Sequence, residues 1–192
     1  MKVAPTSRLW LKCVIAYSLG GLTSAVLVGF SLGTLGVVML IFPETLRLTL
    51  LSMISTLFIL RDVNLVSFRI LERQRQTERS WVNDFGFLWA SAMWGMHVGF
   101  GFGTRMTYGG LWILAVACVA LGDLVFACGL MVMFWAGRCI SVWLAPLLLS
   151  ATPTSDEILR VLAPRQLPHR PLVIVAQVWC VVATLIAMQD LK

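Results

Sequence analysis

Three ionisable residues stand alone in long apolar stretches of this chain: His97, Asp123 and Arg138. A histidine set between Trp94 and Phe100 must face a cavity or a partner, because hydrocarbon would leave its ring nitrogens unpaired. Such a group is suited to relay protons or to bind a metal, and the plainer alternative is one hydrogen bond to a neighbouring helix. Asp123 and Arg138 are the only charged residues between Met106 and Ser150. If one helix runs through this stretch, Asp123 is a buried carboxylate and Arg138 lies at an interface. If the chain turns at Gly122, Asp123 becomes a loop residue in water and Arg138 is the buried one. The two are not both deep in either layout, so no ion pair between them is expected. No catalytic set emerges from these residues.

The cysteines, Cys13, Cys118, Cys128, Cys139 and Cys180, are odd in number and form no C-x-x-C pair. They read as small buried hydrophobes. Cys128 and Cys139 share a helix face but are separated by about 16 Å of rise, beyond the reach of a disulfide. Nucleotide-binding loops, zinc-ligand spacings, serine-nucleophile elbows and N-glycosylation acceptors are absent from the sequence. No metal site and no cofactor is therefore expected.

The elements that position these groups follow from composition. Hydrophobic residues make up 59% of the chain and charged residues 12%, far from soluble usage. Residues 13–42 carry no charge, a stretch longer than the roughly 20 residues one membrane crossing needs. A secretory signal has a shorter apolar core of about 7–15 residues followed by a cleavage site, so this segment reads as a retained span. The expectation is an all-α, polytopic transmembrane bundle, with residues 1–192 forming a single integral membrane domain. The net charge of +6 sits mostly in loops beside apolar runs, which points to the lipid bilayer as partner and away from nucleic acid.

The spans are expected at residues 14–42, 48–60 with a few borrowed neighbours, 85–104 and 172–188, with one or two more in 106–150. That last run, as one straight helix, would measure about 67 Å, roughly twice the membrane, so it must break. Breaking it at Gly122-Asp123 gives six spans; a single span plus an interfacial segment gives five. Positive-inside counting prefers five, with twelve of the fifteen Lys and Arg on the N-terminal side. Length prefers six, and six spans are the expectation, with five the alternative. Both put the N-terminus and the arginine-rich stretch 61–79 in the cytoplasm of a cell with this protein in its plasma (inner) membrane. That stretch reads as a solvated loop, or as a short amphipathic helix on the lipid surface.

Two apolar segments carry a small residue at every fourth position: Gly21, Ala25, Gly29, Gly33 and Ser91, Gly95, Gly99, Gly103. The context repeats as well, Val28-Gly29-Phe30 answering Val98-Gly99-Phe100 seventy positions on. Such stripes let membrane helices approach closely, and the expectation is that spans one and three pack together as a glycine zipper. His97, two residues from both Gly95 and Gly99, is expected to project from the opposite side of its helix. The stripes serve packing alone, or a sliding seam between helices of a transporter. Three functions remain open: a transporter or permease-like protein for a small solute or ion; a non-catalytic membrane subunit or assembly factor that docks a membrane-protein partner or a second copy; and a thiol-redox electron-transfer protein.

Overall fold

The computed structural model describes residues 7–68, 81–101, 109–148, 174–179, 181–183 and 186. Every regular element among them is an α-helix, as expected: α1 (Ser7–Met39), α2 (Glu44–Asp62), α3 (Trp81–Gly99), α4 (Gly110–Leu121) and α5 (Leu124–Leu148). Residues 174–179 and 181–183 are helical as well. Among the described residues, two helices are long and apolar enough to cross a membrane, over Arg8–Met39 and Leu124–Leu144. Helix α4 and the segment Ile174–Ala183 are apolar but shorter. Among the described residues, helix length and composition thus mark two candidate crossings, and the six-span layout is not established by them. Gly103, Arg69 to Arg79, and the proline-rich connection with His169 lie outside the described residues.

The boundaries have local causes. Pro43 disfavours helical geometry at Phe42, so α1 ends in tight turns, Leu40 N–H to Val37 O and Phe42 N–H to Met39 O. Pro43 then opens α2, its carbonyl accepting from the Leu46 and Arg47 amides. The long run 106–150 turns at Gly122-Asp123. Gly122 adopts φ 66°, ψ 23°, the left-handed geometry that stops a helix. Asp123 caps the next helix by accepting the Phe126 amide on Oδ1 at 2.9 Å.

Helix α1 is the hub, packed against α3, α5 and α4, while α2 lies on α4. The core comprises Ala25 and Val28 of α1, Leu111 and Cys118 of α4, and Ala127, Met131, Trp135 and Cys139 of α5. The α1–α3 pairing matches expectation, but the stripe of α1 does not face that of α3 throughout. A Cβ on Gly95 would strike the Tyr17 carbonyl, and one on Gly99 the Gly21 carbonyl. Further along, a Cβ on Gly29 would come within 2.6 Å of Cys128 Cα, and one on Gly33 within 2.9 Å of Leu124 Cα. At Gly21 already a Cβ would strike the Trp135 ring of α5, so Gly21, Gly29 and Gly33 all face α5. The glycine of α1 whose Cβ would meet α3 is Gly20, against the Ala92 carbonyl.

Helix α2 holds both ends of α4. The Arg47 guanidinium donates to the Ala120 carbonyl in the last turn of α4. At the other end, the Gly109 amide donates to Asp62 Oδ2 at 2.9 Å. A cation thus meets the negative pole of α4 and a carboxylate its positive pole. Along α2 these two residues are separated by about 22 Å, against about 18 Å for α4 itself, so an antiparallel α2 spans the whole of its neighbour.

Candidate functional site

The seam between α1 and α3 opens on one flank into a groove of about 730 Å³. Its polar and polarisable lining consists of Ser24 and Ser31 from α1 and Trp81, Met93, Met96 and His97 from α3, among aliphatic and phenyl side chains. Positions 93, 96 and 97 share a helix face, as do 24 and 31. Ser24 donates its hydroxyl proton to Gly21 O at 3.0 Å, and Ser31 to Leu27 O at 2.8 Å. Both hydroxyls commit their only proton to their own helix and retain acceptor lone pairs.

His97 thus faces a groove shared with α1, on the flank of the glycine seam, and does not point away from that neighbour. Its register with Met93, Met96 and Phe100 sets this direction, and Gly86 brings Trp81 to the same place. In a straight helix Trp81 and His97 would be separated by about 24 Å of rise, yet their ring centroids are 6.1 Å apart, edge to face at 82°. Gly86, with φ 76° and ψ 170°, occupies a region essentially closed to other residues and folds the preceding turn back along the helix. No atom lies within 4 Å of the place a Cβ would take there. Backbone geometry, and not space, is what calls for glycine.

The other two sequence candidates lie elsewhere. Asp123 is exposed at the start of α5, where it caps the helix. Arg138 is half-buried, its guanidinium over the Phe134 ring at 5.7 Å. Since α5 places about 22 Å of rise between them, the structure brings no two of His97, Asp123 and Arg138 into one site. Near Arg138, the ring of Tyr17 meets that of Trp135 at 5.1 Å. Ser18 donates to Val14 O at 2.8 Å and accepts from Trp143 Nε1 at 3.0 Å. With its own proton on Val14, its contact with Cys139 Sγ at 3.2 Å is donated by the thiol.

Cys13, Cys118, Cys128 and Cys139 are free thiols. Cys118 and Cys128 approach the carbonyls of Ala127 and Val26 at 3.9 and 3.8 Å. Cys180 lies outside the described residues.

Sequence reasoning missed Asp62. Its side chain is 1% exposed and pairs with Arg61 at 3.0 Å; Oδ2 accepts from Gly109 and, at 2.9 Å, from Gln177 Nε2. A carboxylate at the end of an apolar run reads as a boundary residue in water. The signal that pointed elsewhere was Gln177, a lone amide inside the final apolar run, which needs a buried partner.

No protein-family model matches the chain, and neither does any curated protein or solved structure.

Proposed function

We infer that this chain is a small polytopic membrane protein of transporter or permease type, taking a small solute or ion into the α1–α3 groove. The observation that carries the reading is His97 lining an open groove of about 730 Å³. An ionisable group at membrane depth belongs to pathways and not to lipid contacts. The adjoining seam is a backbone-on-backbone contact at Gly95 and Gly99, a smooth surface on which two helices can rock.

The turn at Gly122-Asp123 supports six crossings over five, because it divides the 106–150 run where the six-span layout divides it. Charge asymmetry then puts the N-terminus in the cytoplasm of a plasma (inner) membrane protein.

The test is flux in proteoliposomes across a panel of small cations and neutral solutes, wild type against His97→Ala. The expected result is at least one solute whose protein-dependent flux falls about tenfold, equivalent to about 1.4 kcal/mol of barrier. Flux no faster than in empty liposomes, or indifferent to His97→Ala, refutes the reading.

A second reading has its own support. The groove wall is otherwise apolar, and exposed Leu27, Phe30 and Phe100 lie along it or beside it. That surface also suits a partner helix, as in a non-catalytic subunit or assembly factor. Co-purification of a stoichiometric partner in mild detergent, with His97 shielded from aqueous reagents, is what this reading requires.

A further inference from the structure

Met93, Met96 and His97 stand at positions i, i+3 and i+4 of α3, and all three line the α1–α3 groove with Trp81. Side chains at this spacing have Cβ atoms about 5–6 Å apart, and methionine, with three rotatable bonds, adapts readily. Two thioethers and an imidazole can therefore converge on one ion. This is a soft, uncharged donor set, and thioether ligands select Cu(I). The described groove lining contains no carboxylate, so it offers no anionic oxygen to Ca²⁺ or Mg²⁺, whose sites are built on carboxylates. Trp81, held over this spot by the fold at Gly86 and meeting His97 at 6.1 Å, adds an indole ring. A cation within about 6 Å of an indole face is attracted by it.

We propose that Met93, Met96 and His97 form a three-coordinate site for a soft monovalent cation, Cu(I), with the Trp81 ring closing one side. The proposal deepens the transport reading and rests on it for its biological sense, since it names the class of ion that the groove takes. Binding needs no redox step: the ion enters and leaves as the monovalent cation, and the ligands are neutral throughout.

The experiment uses the full chain in detergent micelles, with ¹³C-labelled methionine methyls, titrated with Ag(I) as a redox-silent probe. Met93→Leu and Met96→Leu, near-isosteric changes, assign the two signals. The Met131 methyl, fully buried in the core, reports whether each variant is folded. The Met93 and Met96 methyls are expected to move together in one saturable phase. His97→Gln is expected to weaken that phase by at least the roughly tenfold that loss of an outer partner costs a metal site. Capture of Ag(I) by the thiols with both methyls unmoved overturns the site, as does an absence of binding. Both methyls responding while flux ignores His97 keeps the site and removes transport. His97-dependent flux with unmoved methyls does the reverse.

Discussion

Arg47 and Asp62 grip opposite ends of one helix. The first donates to the Ala120 carbonyl and the second accepts the Gly109 amide, so that α2, the least apolar of the long helices, is fixed to α4 by its charges. Asp62 further accepts from Gln177 and pairs with Arg61. Asp62→Ala strips the acceptor from Arg61, Gly109 and Gln177 together and is expected to destabilise by about 3 kcal/mol. Asp62→Asn keeps one acceptor oxygen and costs less. Arg47→Ala is expected to cost about 1 kcal/mol. Unfolding by SDS titration in mixed micelles gives the order; equal, negligible losses for both alanine variants contradict the two-ended grip.

The glycine contacts make a position-specific prediction. Gly95→Ala and Gly99→Ala push a methyl into the Tyr17 and Gly21 carbonyls, and overpacking of this kind costs about 1–3 kcal/mol. Nothing lies within 4 Å of a Cβ at Gly129 of α5. Gly129→Ala is therefore expected to be neutral, or stabilising by up to about 1 kcal/mol from helix propensity. Thermal unfolding of the three variants in one detergent checks the contrast.

Gly86→Ala tests the backfolded turn. Because φ 76°, ψ 170° is closed to alanine at a cost of about 1–3 kcal/mol, the variant should straighten α3 and carry Trp81 away from His97. The contact is read as a nuclear Overhauser effect between the Trp81 indole and His97 imidazole protons, expected in the wild type at a centroid separation of 6.1 Å and lost in Gly86→Ala. An effect that persists in the variant shows that the contact does not depend on Gly86.

Asp123 is assigned to capping and not to the pathway. Asp123→Ala is expected to cost about 1 kcal/mol, while Asp123→Ser, which retains a capping oxygen, is expected to cost a few tenths. Neither should alter protein-dependent flux. Flux that falls with Asp123→Ser but not with loss of stability places the carboxylate back in the pathway.

What the sequence revealed follows the range of the forces involved. The turn at Gly122-Asp123 was legible because a left-handed stop and a helix cap are local, adjacent signals. The meeting of α1 with α3 was legible because small residues mark close approach. Which residues meet was not: Gly21, Gly29 and Gly33 face α5, while Gly95 and Gly99 of α3 meet the Tyr17 and Gly21 carbonyls of α1. Nor was Asp62, whose partners Gly109 and Gln177 lie 47 and 115 positions away. His97 was recognised as a polar residue needing a neighbour, but its surroundings depend on Gly86, which reads as an ordinary glycine until its φ is known.

The central claim, a groove at His97 that solute reaches from water, is tested most directly by two-sided accessibility. A cysteine at position 97 is introduced, and sealed vesicles of either orientation receive a membrane-impermeant methanethiosulfonate reagent, with the parent chain as baseline. The account predicts that His97→Cys is modified from both sides, above that baseline. A residue 97 sealed from both sides, in a protein that remains folded, contradicts it.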